Sequence, residues 1–101
     1  MQTERIEVRV AGELGTLVAR YIANRKTELV ELDAALSKRD FETLRRMGHV
    51  LKGSGGGFGF TDISRMGDAI ERAAVQGEVE TLQQELAALK RYLECIYIVF
   101  E

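Results

Sequence analysis

The chain has one histidine, His49, and it is the residue best suited to act as a nucleophile near neutral pH. Imidazole side chains titrate at about pH 6.5, so at neutrality one ring nitrogen offers a lone pair while the other holds a proton. His49 lies in the stretch Arg45-Arg46-Met47-Gly48-His49-Val50-Leu51-Lys52-Gly53-Ser54-Gly55-Gly56-Gly57-Phe58-Gly59-Phe60. On a helix turning about 100° per residue, Lys52 falls about 60° to one side of His49 and Gly53 about 40° to the other. Gly56 falls about 20° away, and Arg45 and Arg46, one turn earlier, lie within about 60° of the same line. Leu44, Met47, Leu51, Ser54 and Phe58 take the opposite face. That arrangement suits phosphoryl chemistry. A neutral imidazole can attack phosphorus, Lys52 can offset the charge of a phosphoryl oxygen, and the two arginines supply a positive field for an acidic partner surface.

The glycines of this stretch need a reason, because each one in a helix interior costs about 1 kcal/mol against alanine. A merely structural helix would gain by losing them. Gly53 and Gly56 flank the imidazole, where missing side chains let another protein approach the ring. Gly55 and Gly57 point to other flanks, where close helix packing is the expected role. The alternative is a helix that stops at Lys52 and a flexible glycine loop after it. Periodicity leaves both open.

The remaining elements must hold that helix in place. Leu14, Val18, Tyr21, Ile22, Leu29, Leu32 and Leu36 recur at helical spacing, so 13–38 reads as one long helix or two abutting ones. Asp40 is a candidate N-cap for the histidine helix, expected over 41–58. Thr61 or Asp62 is a candidate cap for a helix over 61–76 that carries Ile63, Met66, Ile70 and Ala74, and Gly77 is placed to end it. Leu82, Leu86, Leu89, Leu93, Ile96 and Phe100 are separated by 4, 3, 4, 3 and 4 residues, which predicts a bundle helix over 78–100. Residues 1–12 form an N-terminal arm in which Ile6-Glu7-Val8-Arg9-Val10 alternates with period two, with no evident strand to pair with. The expected fold is all-α, with helices joined by short turns into an antiparallel bundle.

Length and composition exclude several classes. At 101 residues the chain is a single domain, too short to join a cofactor domain to a substrate domain. Its 14 basic and 16 acidic residues give a formal charge of −2, against a nucleic-acid binder held by phosphate contacts. The single cysteine, Cys95, allows no intrachain disulfide or cysteine metal cluster, and within an apolar run it reads as a small core residue. No long apolar stretch suggests a signal peptide or a membrane span, so a cytoplasmic protein is expected. Met1 favours a free-standing protein over a module of a hybrid kinase.

The segment His49-Val50-Leu51-Lys52-Gly53-Ser54, with Gly59 ten residues after the histidine, resembles the motif of histidine-containing phosphotransfer (HPt) domains. Asp40-Phe41-Glu42 and Gly67-Asp68-Ala69-Ile70-Glu71-Arg72-Ala73-Ala74 resemble the turn before the family's histidine helix and the helix after it, and Tyr21-Ile22-Ala23-Asn24-Arg25 its early helix. The resemblance implies a four-helix bundle with an additional N-terminal helix. It implies that His49 exchanges a phosphoryl group with receiver-domain aspartates of response regulators, including the receiver of a hybrid sensor kinase. Lys52 would steady the phosphoryl group, Gly53 and Gly56 would make room for the receiver, and Arg45 and Arg46 would face the partner. No cofactor or metal is expected on this chain, the Mg²⁺ for transfer belonging to the receiver, and the carrier is expected to be a monomer without autonomous kinase activity. A P-loop is not matched, since there Lys follows the glycines after a strand, whereas Lys52 precedes them on a helix.

Two other classes compete. One is a helical module that binds a receiver or kinase without carrying phosphate, for which the pairing of His49 with Lys52 has no physical use. The other is an enzyme using His49 as general base, which lacks a matched carboxylate near His49 in sequence and an evident pocket.

Overall fold

A computed structural model describes residues 5–101, so the first four residues of the expected arm lie outside the described residues. Strand β1 (Ile6–Val10) leads into α1 (Gly12–Ser37), followed by α2 (Phe41–Gly57), α3 (Thr61–Gln76), α4 (Val79–Cys95) and strand β2 (Ile96–Phe100). Each helix packs on the next and α1 closes the ring against α4. Turns of two or three residues leave consecutive helices little choice but to run up and down. The core is aliphatic, with Leu32, Leu44, Ile63, Ile70, Leu82, Leu89 and Leu93 sealed from water. No polar or charged residue among those described is fully buried.

Local chemistry sets the helix ends. Asp40 caps α2, accepting from the Thr43 backbone N–H at 3.2 Å and from its hydroxyl at 2.7 Å. These two bonds, the hydroxyl one foremost, hold the Asp40 carboxyl below its ordinary range. The histidine helix does not stop at Lys52; it runs through the glycines to Gly57. It ends where Gly59 takes a left-handed φ of 83°, letting the Phe60 N–H reach back to the Gly55 carbonyl at 2.7 Å. At the start of α3 the N-cap position is Phe60, with no side-chain cap, so neither Thr61 nor Asp62 plays that part. Gly77 ends α3 in the left-handed region, φ 67°.

Two expectations about the chain ends are corrected. Among the described residues no additional N-terminal helix exists; one unbroken helix of 26 residues spans the region expected as a helix or helix pair. The last helix stops at Cys95 rather than continuing to residue 100, and Ile96–Phe100 leaves it as a strand. The run Ile-Tyr-Ile-Val-Phe is β-branched and aromatic throughout, which suits an extended chain better than a helix. Its partner is the alternating arm, paired in parallel from Ile6↔Ile96 to Val10↔Phe100. Ile6, Val8 and Val10 turn toward the core while Glu7 and Arg9 face out, as period two requires. Backbone bonds from the Gly12 N–H to the Glu101 carbonyl and from the Glu101 N–H to the Val10 carbonyl extend the ladder past both strands.

The closest helix-to-helix contact is between α2 and α3. A Cβ on Gly67 would lie 2.5 Å from the Lys52 backbone nitrogen and 2.8 Å from the Gly48 carbonyl oxygen. One on Gly48 would lie 2.7 Å from the Glu71 nitrogen, and one on Gly55 2.7 Å from the Ser64 nitrogen. Gly48 and Gly55 are seven residues apart, hence on one line of α2, and α3 lies backbone to backbone along that line. Gly57, by contrast, faces open space, not a packed flank.

Two measurements test these assignments. In urea denaturation Gly67→Ala should lose about 2 kcal/mol, since the obstacle is backbone, whereas Gly53→Ala, with nothing within 4 Å, should gain about 1 kcal/mol from helix propensity. Asp40→Ala should lower the melting temperature at neutral pH. Because the folded-state pKa of Asp40 is depressed, its contribution is fully present above the unfolded value of about 3.9 and is lost as pH falls through the folded one. The two melting temperatures should therefore converge in acid; a gap that persists there would remove Asp40's charge from the cap.

Candidate functional site

His49 sits mid-way along α2 with its side chain 69% exposed, so the ring stands on an open surface. Its Nδ1 lies 3.1 Å from Oε2 of Glu71 on α3, whose side chain is only 22% exposed. A carboxylate oxygen accepts, so Nδ1 carries the proton and donates it, and Nε2 is left with the lone pair. The reach of Glu71 follows from the glycine seam: Gly48 immediately precedes His49 and presses on the backbone of Glu71.

One turn along α2, Lys52 Nζ lies 3.1 Å from Oδ1 of Asp68, and Oδ2 of Asp68 lies 3.0 Å from Nε of Arg72. The Lys52 ammonium, ahead of Arg72, holds the Asp68 carboxyl below the usual carboxylate range. Lys52 is also fixed at its backbone, where the Ser64 hydroxyl donates to its carbonyl at 2.8 Å. The two contacts form a ladder across the helix pair. His49 and Lys52 are three apart on α2, and Glu71 and Asp68 are three apart on α3.

The other predicted residues are placed differently. Arg45 does not reach the imidazole; it is held by Glu42 in its own helix, Nη2 to Oε1 at 2.6 Å and Nε to Oε2 at 3.1 Å. That pairing raises the Arg45 pKa and lowers that of Glu42. Arg46 is exposed and lines a shallow groove with Met47, Val50 and the α1 residues Glu28 and Glu31. Gly53 has open space where a side chain would be, and Gly56 has only the Ser64 hydroxyl, 3.7 Å from a would-be Cβ. Of the expected set, therefore, His49, Lys52, Gly53 and Gly56 share one patch, with Arg46 at its margin and Arg45 tied to Glu42.

On the far side of α2 the Tyr21 hydroxyl and Ser54 Oγ are 2.9 Å apart, and Phe58 stacks on Tyr21 at 4.3 Å between ring centroids. This fastens the glycine-rich end of α2 to α1. Reading the sequence for side-chain roles missed Glu71 and Asp68. Both are on another helix, and only their spacing of three, matching His49 and Lys52, carried a signal.

Chemically, the patch offers one nucleophilic nitrogen, a carboxylate behind the ring, a cation one turn away and free space in front. The His49–Glu71 pair supplies the carboxylate that a general base would use and that the sequence near His49 lacked. The ring nevertheless stands exposed on the helix face, where water has free access to it. Among the described residues no group of three His, Cys, Asp or Glu side chains is placed to hold a metal ion, and no helix is long and apolar enough to cross a membrane.

Comparison with known proteins bears on what that patch is for. No curated protein and no solved structure matches the chain. The family model of the Hpt domain matches residues 16–96, from the first turns of α1 to the end of α4, and so includes the whole patch. Hpt domains serve phosphotransfer in two-component signalling, as phosphocarriers and not kinases, and typically interact with receiver domains. With four helices in the order that the match spans and the histidine patch inside it, this chain belongs to the Hpt domain family.

Proposed function

We propose that the protein carries a phosphoryl group on Nε2 of His49 and relays it between the aspartates of response-regulator receiver domains. The observation that carries this reading is the Glu71 contact, which occupies Nδ1 and leaves Nε2 as the nucleophile on an exposed face cleared by Gly53 and Gly56. The Nε2 lone pair attacks the phosphorus of an aspartyl phosphate. The N–P bond forms as the P–O bond breaks, and the receiver's carboxylate leaves with the electron pair. Positive charge then develops on the imidazole, and Glu71, accepting from Nδ1–H, stabilises it where it arises. The reverse step delivers the group to a second receiver.

Lys52 lies one turn from His49 and offsets the phosphoryl charge. Mg²⁺ comes with the receiver, and the chain itself needs no cofactor. Gly53 and Gly56 are the docking clearance, and Arg46 together with the apolar floor of Met47 and Val50 extends the contact beyond them. Arg45, neutralised by Glu42, contributes chiefly as part of the surface shape. The protein acts as a carrier with no kinase activity of its own.

The assignment is tested by incubation with a phosphorylated receiver domain, following acid-labile, base-stable label. Wild type should take up label and His49→Gln none; label retained by the variant would transfer the role to another residue. Glu71→Gln should still fold and keep an acceptor on Nδ1–H, but accept label at a rate lower by about fivefold, the difference between a charged and a neutral acceptor. An unchanged rate would leave Glu71 no part in transfer.

A further inference from the structure

Lys52 has two claims on it. It is one helical turn from His49, where a phosphoryl group on Nε2 would attract it, yet it stands 3.1 Å from Oδ1 of Asp68. Asp68 is anchored on its other oxygen by Arg72, at 3.0 Å within the same helix. Its side chain is 30% exposed, against 48% for Lys52 and 80% for Arg72, so the carboxylate sits deepest in the cluster. A lysine stem is flexible and its ammonium is a point charge that can swing between acceptors. A carboxylate with two oxygens and two cations can release one cation and remain paired.

Resting on the phosphocarrier reading, we propose that Asp68 is a positioning residue that holds Lys52 in the unphosphorylated domain and yields it to the phosphoryl group on His49, with Arg72 keeping the freed carboxylate paired. Phosphorylation then breaks one ion pair as it makes another. The phosphohistidine is less stable than a permanently free Lys52 would make it, and its phosphoryl group correspondingly easier to pass on. Glu71 is not part of the exchange, since its oxygen engages the ring nitrogen opposite the one that carries phosphorus.

The exchange predicts a coupling between Asp68 and Lys52 that a purely structural role would not produce. Wild type, Asp68→Asn, Lys52→Ala and the double variant are loaded with phosphoramidate, a small donor that needs no docking surface. The ratio of phosphorylated to free protein is then read by ³¹P NMR, with melting curves as the check on folding. Asp68→Asn should raise that ratio about threefold, the scale of an exposed ion pair. Lys52→Ala should lower it, and Asp68→Asn should have no effect once Lys52 is gone. A ratio unchanged in Asp68→Asn overturns the exchange. So does a gain that persists undiminished in the Lys52→Ala background, which would mark a direct field of Asp68 on the phosphoryl group. In both cases loading of wild type at His49 leaves the carrier reading standing; no loading of wild type removes both.

Discussion

The backbone contact between α2 and α3 is the constraint on which the site depends. Packed helices ordinarily lie about 8–10 Å apart, held off by side chains at the contact. Here Gly48 and Gly55 on one helix and Gly67 on the other remove those side chains, and main-chain atoms meet directly. That closeness lets Glu71 reach Nδ1 of His49 and lets aspartate, with its short side chain, reach Lys52 across the seam. A single methyl group at Gly67 would press on the nitrogen of Lys52 and the carbonyl of Gly48, the residue before the histidine.

The glycines of α2 thus divide into two groups with different physical purposes. Gly48 and Gly55 face α3 and are required by the fold. Gly53, Gly56 and Gly57 face outward, where little or nothing touches them, so packing gives no reason for them. Helix propensity argues against them, and on the phosphocarrier reading the reason lies in a partner that must approach His49 closely. Electrostatics fits the same division. The histidine face is not a bare positive surface, since Arg45 is matched by Glu42 and Lys52 by Asp68. On the same reading, clearance and shape carry more of the docking than long-range attraction, which salt would screen beyond about 8 Å.

The strand pair closes the domain in a way that helix arithmetic does not suggest. Ile96 and Phe100 continue the four-three spacing of α4, but the same residues also fit period two, and β-branched neighbours favour the extended chain. What decided the matter was a partner: Ile6–Val10 alternates in the same way and lies beside it in space. Neither strand alone has a reason to form. Together they satisfy each other's backbone and lay Ile6, Val8 and Val10 against the bundle.

By itself the sequence determined the outward direction of His49 and the position of Lys52 beside it, both of which follow from the angular period of one helix. It also determined the cap at Asp40 and the stop at Gly77, which are local chemistry. The clearance at Gly53 and Gly56 followed only from the helix running on through the glycines to Gly57, which periodicity had left open. Tertiary structure decided what lies opposite that helix: Glu71 behind the ring, Asp68 on the lysine, Gly67 at the crossing and β1 against β2. Each of these joins residues from different elements, and no intrahelical period encodes which residues of a second element will arrive, or how near. The nearness was written in three glycines, but only the packed helices show which of the chain's ten glycines they are.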